Sequence, residues 1–214
     1  MCLTSLGFKP KPYQFIFYNY SESKSIYILN STISKGDSMA VNVFRCRICG
    51  EAYIGEHAPT RCPFCGSYEK LIIDNKDYKD TFDIKISKKE LELVKKALDF
   101  EISNASFYQC AKDKADTEEA KGMFKILSKV EAEHASIWKK ILKLEKIDIP
   151  KYDACSDKFK GNLQESHERE THAIEFYGKA ARECEHPRLR QIFGALVQVE
   201  TDHLYLSEVR LNKR

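Results

Sequence analysis

The sequence contains one set of potential metal ligands twice, and this repeat limits the possible folds more than any other feature. The motif Glu-x-x-His occurs at Glu131–His134 and again, 69 positions later, at Glu200–His203. Thirty residues before each motif stands another glutamate, Glu101 or Glu170. On a helix, residues three apart lie on the same face. Two such helices, with one inward glutamate from each of two others, form a dinuclear carboxylate site inside a four-helix bundle.

The repeat also includes residues of the type that fills a helical core. The same shift of 69 positions superposes Phe107 on Phe176, Tyr108 on Tyr177, Ala111 on Ala180, Phe124 on Phe193, Leu127 on Leu196 and Val130 on Val199. A single Glu-x-x-His would mean little, because both residues are common on exposed helix faces. This many matches at one offset indicate a helix pair used twice, rather than two solvated faces that happen to agree.

Local signals place the four helices. Capping signals at Ser87–Glu90 and Asp116–Glu119 predict the starts of the first two. We expect the second helix to end near Leu144, the third to run from about Lys158 to Cys184, and the fourth to run from a break at His186-Pro187 to about Leu211.

The connection between the second and third helices is short for its task. It must return along a helix of about 40 Å, and the twelve residues 146–157 reach about 40 Å when fully extended. We therefore predict a homodimer in which helices exchange between subunits, so that the connection can be straight.

Six side chains are the candidate ligands and catalytic groups of the bundle. We expect Glu101 and Glu170 to be terminal ligands, Glu131 and Glu200 to bridge, and His134 and His203 to bind one ion each. Two divalent cations would neutralise the four carboxylates, which makes their burial tolerable. Oxygen-rich ligation with one imidazole per ion suits iron or manganese better than structural zinc. We therefore predict two iron ions, with manganese or zinc as alternatives.

Other polar and aromatic residues lie close to these ligands in the sequence. Tyr108 and Tyr177 each stand two turns after a terminal glutamate, and two interpretations remain open. They are core aromatics whose hydroxyl is tied to a carboxylate, or they hydrogen-bond a ligand and relay a proton or radical. His167 lies one turn before Glu170, and we expect it at the surface or behind a ligand. Trp138 is expected in the core.

Four of the eight cysteines form a second metal-binding motif. Cys46-x-x-Cys49 and Cys62-x-x-Cys65 are both followed by glycine, and two such knuckles present four thiolates in a tetrahedron. Such a site accepts zinc, which would only stabilise the fold, or iron, which would carry one electron. Because four thiolates complete the shell, we expect His57 to be a surface residue.

The other cysteines are Cys2, Cys110, Cys155 and Cys184. We predict that they are reduced thiols or small buried residues, since clustered thiolate ligands are typical of a reducing compartment. We accordingly expect a cytoplasmic protein. The chain has 35 basic and 32 acidic residues, which indicates no nucleic-acid partner. No continuous stretch approaches the roughly 20 apolar residues that a membrane span requires.

The cysteine segment resembles a known family. The pattern from Cys46 to Gly66, Cys-x-x-Cys-Gly-x-x-Tyr-x-Gly-x-x-x-Pro-x-x-Cys-Pro-x-Cys-Gly, is similar to the rubredoxin module of rubrerythrins. Residues 44–212 together resemble rubrerythrins with the two domains in reversed order. The resemblance implies a mainly α fold, in which a small N-terminal rubredoxin-like ribbon precedes a ferritin-like four-helix bundle. It also favours iron over zinc in the ribbon.

The resemblance further implies an activity. Rubrerythrins are non-haem di-iron peroxidases that reduce hydrogen peroxide, and rubredoxin or a flavoprotein reductase supplies electrons through the ribbon iron. One departure bears on this activity, because family members carry an extra glutamate one turn from the ligand on the third helix. Here Ala173 and His167 occupy the two candidate places. The alternatives are an iron-handling or oxygen-reducing ferroxidase, and a zinc-ribbon binding protein with a non-catalytic bundle.

These observations divide the chain into four parts. Residues 39–73 are the predicted ribbon, 74–87 a linker and 88–214 the helical domain. Residues 1–38 differ in composition, and we expect them to be a translated leader before a natural start at Met39. The alternative is a genuine N-terminal extension that packs on a neighbour.

Overall fold

Four helices of almost equal length make up most of the protein, which is described here by a computed structural model. The structure describes residues 40–151 and 154–212. The helices are α1 (Lys88–Asp113), α2 (Glu118–Leu142), α3 (Phe159–Glu183) and α4 (Pro187–Leu211), and three short strands precede them: β1 (Asn42–Cys46), β2 (Ala52–Gly55) and β3 (Ile72–Asp74). The predicted fold class is confirmed, and residues 1–38, with the expectations attached to them, lie outside the described residues.

The predicted capping box begins α1 and also ties two helix ends together. Ser87 Oγ accepts a hydrogen bond from the Glu90 backbone N–H at 3.2 Å, and Glu90 Oε2 accepts one from the Ser87 N–H at 2.9 Å. The other oxygen of Glu90 accepts the N–H groups of Glu185 and His186 at 3.0 and 2.8 Å. Glu90 therefore fastens the start of α1 to the turn between α3 and α4.

Both ends of α2 and the start of α4 follow local chemistry as well. Thr117 Oγ1 accepts the Ala120 N–H at 3.1 Å and begins α2. This helix ends at Leu142, because Lys143 adopts the left-handed conformation with φ of 55°. At the start of α4, Pro187 takes a first-turn position where no N–H is needed, and His186 Nδ1 accepts the Arg188 N–H.

The ribbon is a three-stranded antiparallel sheet in the order β2-β1-β3. Its two cysteine knuckles turn at glycines with positive φ, Gly50 at 84° and Gly66 at 72°. Such angles favour glycine because a Cβ atom would clash with the backbone. A Cβ atom on Gly66 would also lie 2.9 Å from Val199 Cγ1, so the second knuckle approaches α4 closely.

Polar contacts hold the ribbon against the bundle. Lys140 Nζ on α2 donates to the Cys49 carbonyl at 2.7 Å, and Arg188 Nη2 on α4 donates to the Ile48 carbonyl at 3.3 Å. Arg61 pairs with Asp202 at 2.9 Å. Both knuckles therefore lie next to helices α2 and α4, which carry the two Glu-x-x-His motifs.

The connection between α2 and α3 corrects one prediction. Cys110 on α1 forms a disulfide with Cys155, so the expectation of reduced thiols is wrong for these two residues. They are 45 positions apart, and no local pattern reveals such a pairing. Cys184 is buried and free, as expected, and Cys2 lies outside the described residues.

The structure also changes the premise of the helix-exchange prediction. Because α2 ends early, sixteen residues, 143–158, join it to α3. An extended segment of this length reaches roughly 50 Å, which exceeds the length of α2, about 38 Å. Within one chain the connection is held to α1 by the disulfide and by Ser106 Oγ, which donates to the Pro150 carbonyl. Exchange is therefore not required to join the helices, and it stays a prediction.

Across the described ranges 40–151 and 154–212, no helix combines the length and the apolar character that crossing a bilayer demands.

The disulfide is expected to stabilise the protein. Closing a loop of this size constrains the unfolded chain and contributes about 2–4 kcal/mol. We expect Cys110→Ser to lower the melting temperature by roughly 5–15 °C, as measured by calorimetry. A reductant should lower the melting temperature of the unaltered protein by a similar amount and leave that of the variant unchanged. Equal sensitivity of both proteins to the reductant would contradict the assigned pairing.

Candidate metal centres

Six inward-facing side chains meet in the middle of the bundle, and every helix contributes. Five are at most 1% exposed, and His203 is 9% exposed. Their sources are Glu101 on α1, Glu131 and His134 on α2, Glu170 on α3, and Glu200 and His203 on α4. The structure thus brings together all six residues that the repeat singles out.

The six side chains form two overlapping sets. One set consists of Glu101, Glu131, His134 and Glu200, and the other of Glu131, Glu170, Glu200 and His203; within each set the ligand atoms lie within 4.8 Å of one another. Glu131 and Glu200 belong to both sets. They therefore lie between the two positions that a pair of ions would occupy, with one outer glutamate and one histidine at each.

The two central carboxylates each present one oxygen to each histidine. Glu131 Oε2 lies 3.2 Å from His134 Nδ1, and Glu131 Oε1 lies 3.0 Å from His203 Nδ1. Glu200 repeats the arrangement, with Oε1 at 3.1 Å from His134 Nδ1 and Oε2 at 2.9 Å from His203 Nδ1. Such a divided orientation is what a carboxylate needs to bridge two cations.

Several polar atoms in this cluster are buried and make no hydrogen bond, because the short contacts between imidazole and carboxylate lack hydrogen-bonding angles. They are Glu131 Oε1, Glu170 Oε2, both carboxylate oxygens of Glu200 and His203 Nδ1. Uncompensated burial of this kind is costly, and a divalent cation removes the cost by accepting the lone pairs. The donor set of oxygens and imidazole nitrogens therefore fits a pair of transition ions.

The electrostatics of the cluster also favour cations. Burial raises the pKa of Glu101 and Glu170 well above the usual range of a carboxyl. Burial lowers the pKa of His134 and His203, but the neighbouring carboxylates outweigh it and raise the pKa of both well above normal. A metal ion binds the neutral imidazole and the ionised carboxylate, so metal binding at this cluster displaces protons.

Two tyrosines connect the outer glutamates crosswise. Tyr108 on α1 donates to Glu170 on α3, and Tyr177 on α3 donates to Glu101 on α1. Both phenols are fully buried, and burial raises the pKa of each well above normal, so they remain neutral donors. The sequence places each tyrosine two turns from a glutamate on its own helix, but the partner lies on the opposite helix.

One histidine of the cluster is fastened to the ribbon. His134 Nε2 donates to the backbone carbonyl of Cys65 at 3.0 Å, which leaves Nδ1 free to bind a metal. The side chain of His203 has no such contact with the ribbon and is 11% exposed. The two halves of the cluster therefore differ, since one faces the cysteine centre and the other is the half open to solvent.

The four ribbon cysteines have the spacing of a tetrahedral thiolate site. Cys46 Sγ and Cys65 Sγ are 3.7 Å apart, and so are Cys49 Sγ and Cys62 Sγ. Metal–sulfur bonds of about 2.3 Å in a tetrahedron give nearly this separation. The cysteines are at most 4% exposed, so the site is closed to other ligands.

A buried serine adds a polar contact to this centre that sequence patterns do not reveal. Ser67 is fully buried, and its Oγ lies 3.0 Å from Cys46 Sγ and 3.4 Å from Cys65 Sγ. The residue directly follows the knuckle glycine Gly66, and that position is the only available signal. Its hydroxyl is placed to donate to a thiolate ligand.

The remaining candidates lie outside both clusters. His57 is exposed, as expected. His167 pairs with Glu208 at 3.3 Å and its side chain is 38% exposed, which agrees with the predicted surface role. Trp138 is buried and packs on Phe193, with ring centroids 4.7 Å apart. Ala173, one turn after Glu170, is 1% exposed and adds no carboxylate to the cluster.

Comparison with known proteins assigns both parts of the chain. The family model described as Rubrerythrin matches residues 92–208, and the one described as Rubrerythrin, rubredoxin-like domain, matches residues 44–70. Reverse rubrerythrin-1 of Clostridium acetobutylicum is 33% identical over 110 residues, which cover 46% of this chain and 61% of that relative. The chain therefore spans about three fifths of the relative's length, and no solved structure matches it significantly. The two matched domains and the two clusters imply that both centres bind metal.

Removal of a shared carboxylate is expected to disturb both positions of the bundle centre. Glu131→Ala should bind fewer than two metal ions per bundle, because Glu131 belongs to both ligand sets. Elemental analysis after loading with ferrous iron measures the metal content. Glu175→Ala, which removes an exposed carboxylate from α3, is the matched control and should retain full metal content. Full occupancy in Glu131→Ala would show that the cluster has another purpose.

Proposed function

This chain belongs to the rubrerythrin family, with the rubredoxin-like ribbon ahead of the helical domain, and we propose that it is a non-haem di-iron peroxidase. Its substrate would be hydrogen peroxide, which is reduced to water. The observation that carries the proposal is the hydrogen bond between His134 and the Cys65 carbonyl. It connects a one-electron centre to a dinuclear centre, an arrangement that a metal-storage bundle does not need.

The proposed ligands are the residues of the two clusters. Glu101 and His134 would hold one iron ion, Glu170 and His203 the other, and Glu131 and Glu200 would bridge them. When bound, the two ferrous ions would supply the two electrons that one peroxide molecule requires. Cys46, Cys49, Cys62 and Cys65 would hold the single ribbon iron. Manganese or zinc in the bundle and zinc in the ribbon are the alternatives.

The His134 contact defines the route by which electrons would cross between the centres. Cys65 offers a thiolate to the ribbon centre and its own carbonyl to His134 Nε2. His134 in turn directs Nδ1 toward the bundle centre, 3.1–3.2 Å from the shared carboxylates. One hydrogen bond is therefore the only non-covalent step in this route, and it lies within a single chain.

The opposite half of the cluster would admit the substrate. The side chains of His134 and its three neighbouring glutamates are at most 1% exposed, whereas that of His203 is 11% exposed. Reduction of one peroxide to two waters consumes two protons as well as two electrons. Tyr108 and Tyr177 hold their protons at Glu170 and Glu101, where they would orient the outer ligands and exchange protons with them.

One observation favours a second candidate function. Ala173 leaves no additional carboxylate one turn beyond Glu170, where relatives are expected to carry one. Without that group the centre has fewer ligand arrangements to exchange between oxidation states. A ferroxidase that reduces oxygen or oxidises ferrous iron is therefore the alternative.

For the proposed peroxidase, rubredoxin or a flavoprotein reductase would be the electron donor. A homodimer is the proposed assembly.

Reaction rates with the two oxidants distinguish these functions. We expect the fully reduced protein to be reoxidised by hydrogen peroxide at least about tenfold faster than by equimolar oxygen, as followed by stopped-flow absorbance. The physical reason is that peroxide needs only the two electrons that one dinuclear centre holds. Faster reoxidation by oxygen would favour the ferroxidase, and a colourless protein containing only zinc would exclude both redox functions.

Ser67 is expected to tune the ribbon centre. Its hydroxyl should stabilise the reduced centre more than the oxidised one, since the reduced thiolates carry more negative charge. We therefore expect Ser67→Ala to lower the ratio of reduced to oxidised iron roughly tenfold, or the midpoint potential by about 59 mV for one electron. A spectroelectrochemical titration measures this change. Ser128→Ala removes a hydroxyl that donates to the Ala105 carbonyl in the bundle, and should leave the ribbon potential unchanged.

A further inference from the structure

A hollow lined by positive charge lies beside the first cysteine knuckle. Its volume is about 340 Å³. Three cationic side chains line it, Arg47, Lys79 and Arg188, and Asp77 is the single carboxylate among the lining residues. Tyr78, Thr81 and Gln191 add polar groups to the wall.

The three cations have no carboxylate partner. In the part of the chain that the structure describes, none of them lies within 4.0 Å of a carboxylate oxygen. Some basic residues nearby are paired, as Lys76 is with Asp74 and Lys140 with Glu51. Three cations against one lining carboxylate give the hollow a net positive charge, on a protein whose overall charge is only +3, although Asp80 is also close enough to influence Arg188.

The cations differ in exposure and in the contacts that hold them. Arg188 is 9% exposed, and its guanidinium is held by Gln191 Oε1 at 2.8 Å and by the Ile48 carbonyl at 3.3 Å. Arg47 and Lys79 are exposed. The hollow thus has one charge that is buried and held by hydrogen bonds, and two exposed charges that a partner can reach.

The position of the hollow relates it to the ribbon centre. Arg47 lies between Cys46 and Cys49, and Arg188 donates to Ile48 of the same knuckle. The second knuckle is the one that contacts the bundle centre, through Cys65 and His134. A molecule in the hollow would therefore lie next to one knuckle, while the other knuckle faces the electron acceptor.

We propose that this hollow is the docking surface for an electron-donor protein that presents a cluster of carboxylates. The inference rests on the proposed function, which requires an external one-electron donor. Opposite charges accelerate the encounter of two proteins and orient it, and carboxylates match arginine in geometry. One electron would pass from the donor to the ribbon centre through the first knuckle and leave through the second, and no bond would form or break.

Two charge-removing variants test the docking surface. Lys79→Gln and the double variant Arg47→Gln/Lys79→Gln should slow reduction of the ferric ribbon by a reduced rubredoxin of net negative charge. We expect about a threefold loss in the second-order rate constant for the single variant and about tenfold for the double, at low ionic strength. The difference should shrink as salt is added, because salt screens exposed charges. Stopped-flow absorbance without peroxide measures the rate.

The controls separate docking from damage to the ribbon. Lys125→Gln removes an exposed charge from α2. Lys125 is about 22 Å along the helix from Lys140, which contacts the first knuckle. The ribbon of this variant should be reduced by rubredoxin as fast as that of the unaltered protein. With reduced methyl viologen, a small cation, as the electron donor, the ribbon of either variant should be reduced no more slowly than that of the unaltered protein. Equal slowing with methyl viologen, or unchanged rates with rubredoxin in both variants, would overturn the proposal.

Binding is measured separately so that the test does not depend on redox activity. Calorimetry with oxidised rubredoxin should give a larger dissociation constant for the double variant than for Lys125→Gln, whichever metal the ribbon holds. A protein that binds rubredoxin in this way but fails to consume peroxide would refute the proposed function and leave the docking surface intact. Tight binding of inorganic phosphate at constant ionic strength, lost in the double variant, would instead assign the hollow to a small anion.

Discussion

The concentration of four carboxylates inside a closed helical bundle is the constraint on which the rest of the structure depends. Such groups are expensive to bury, and two imidazoles satisfy only part of their hydrogen-bonding capacity. The oxygens left without a hydrogen bond belong to Glu131, Glu170 and Glu200, and bound cations would satisfy them. Every helix has to stay in register for this arrangement to hold. Glu90, which joins the start of α1 to the α3–α4 turn, contributes to that register.

The ribbon makes the symmetric bundle asymmetric. A doubled sequence motif would produce two equivalent halves, but only His134 donates to the ribbon, whereas His203 retains some exposure to solvent. In the proposed function, electrons and substrate would therefore approach the same cluster from opposite sides. The cations beside the first knuckle lie on the ribbon, and the proposed electron donor would bind at that surface.

Much of the architecture could be predicted from local chemistry, and the exceptions share one cause. The capping residues Ser87 and Thr117 begin α1 and α2 where their side chains predict, and the Glu-x-x-His spacing places its residues on the inward faces. The disulfide between Cys110 and Cys155 was not predictable, because it joins residues 45 positions apart. The helix-exchange prediction assumed that α2 extends to Leu144, but the left-handed Lys143 ends it sooner and lengthens the connection.

The sequence by itself determined which side chains can form the two centres, since helical periodicity and knuckle spacing are properties of neighbouring residues. Only the tertiary structure decided how the centres relate. The Cys65 carbonyl that meets His134, the tyrosines that cross to the opposite glutamates and the cations that line one hollow are contacts between distant segments. Such contacts depend on how rigid elements pack in space. A backbone carbonyl is also present in every residue, so no sequence pattern can mark the one that accepts a hydrogen bond.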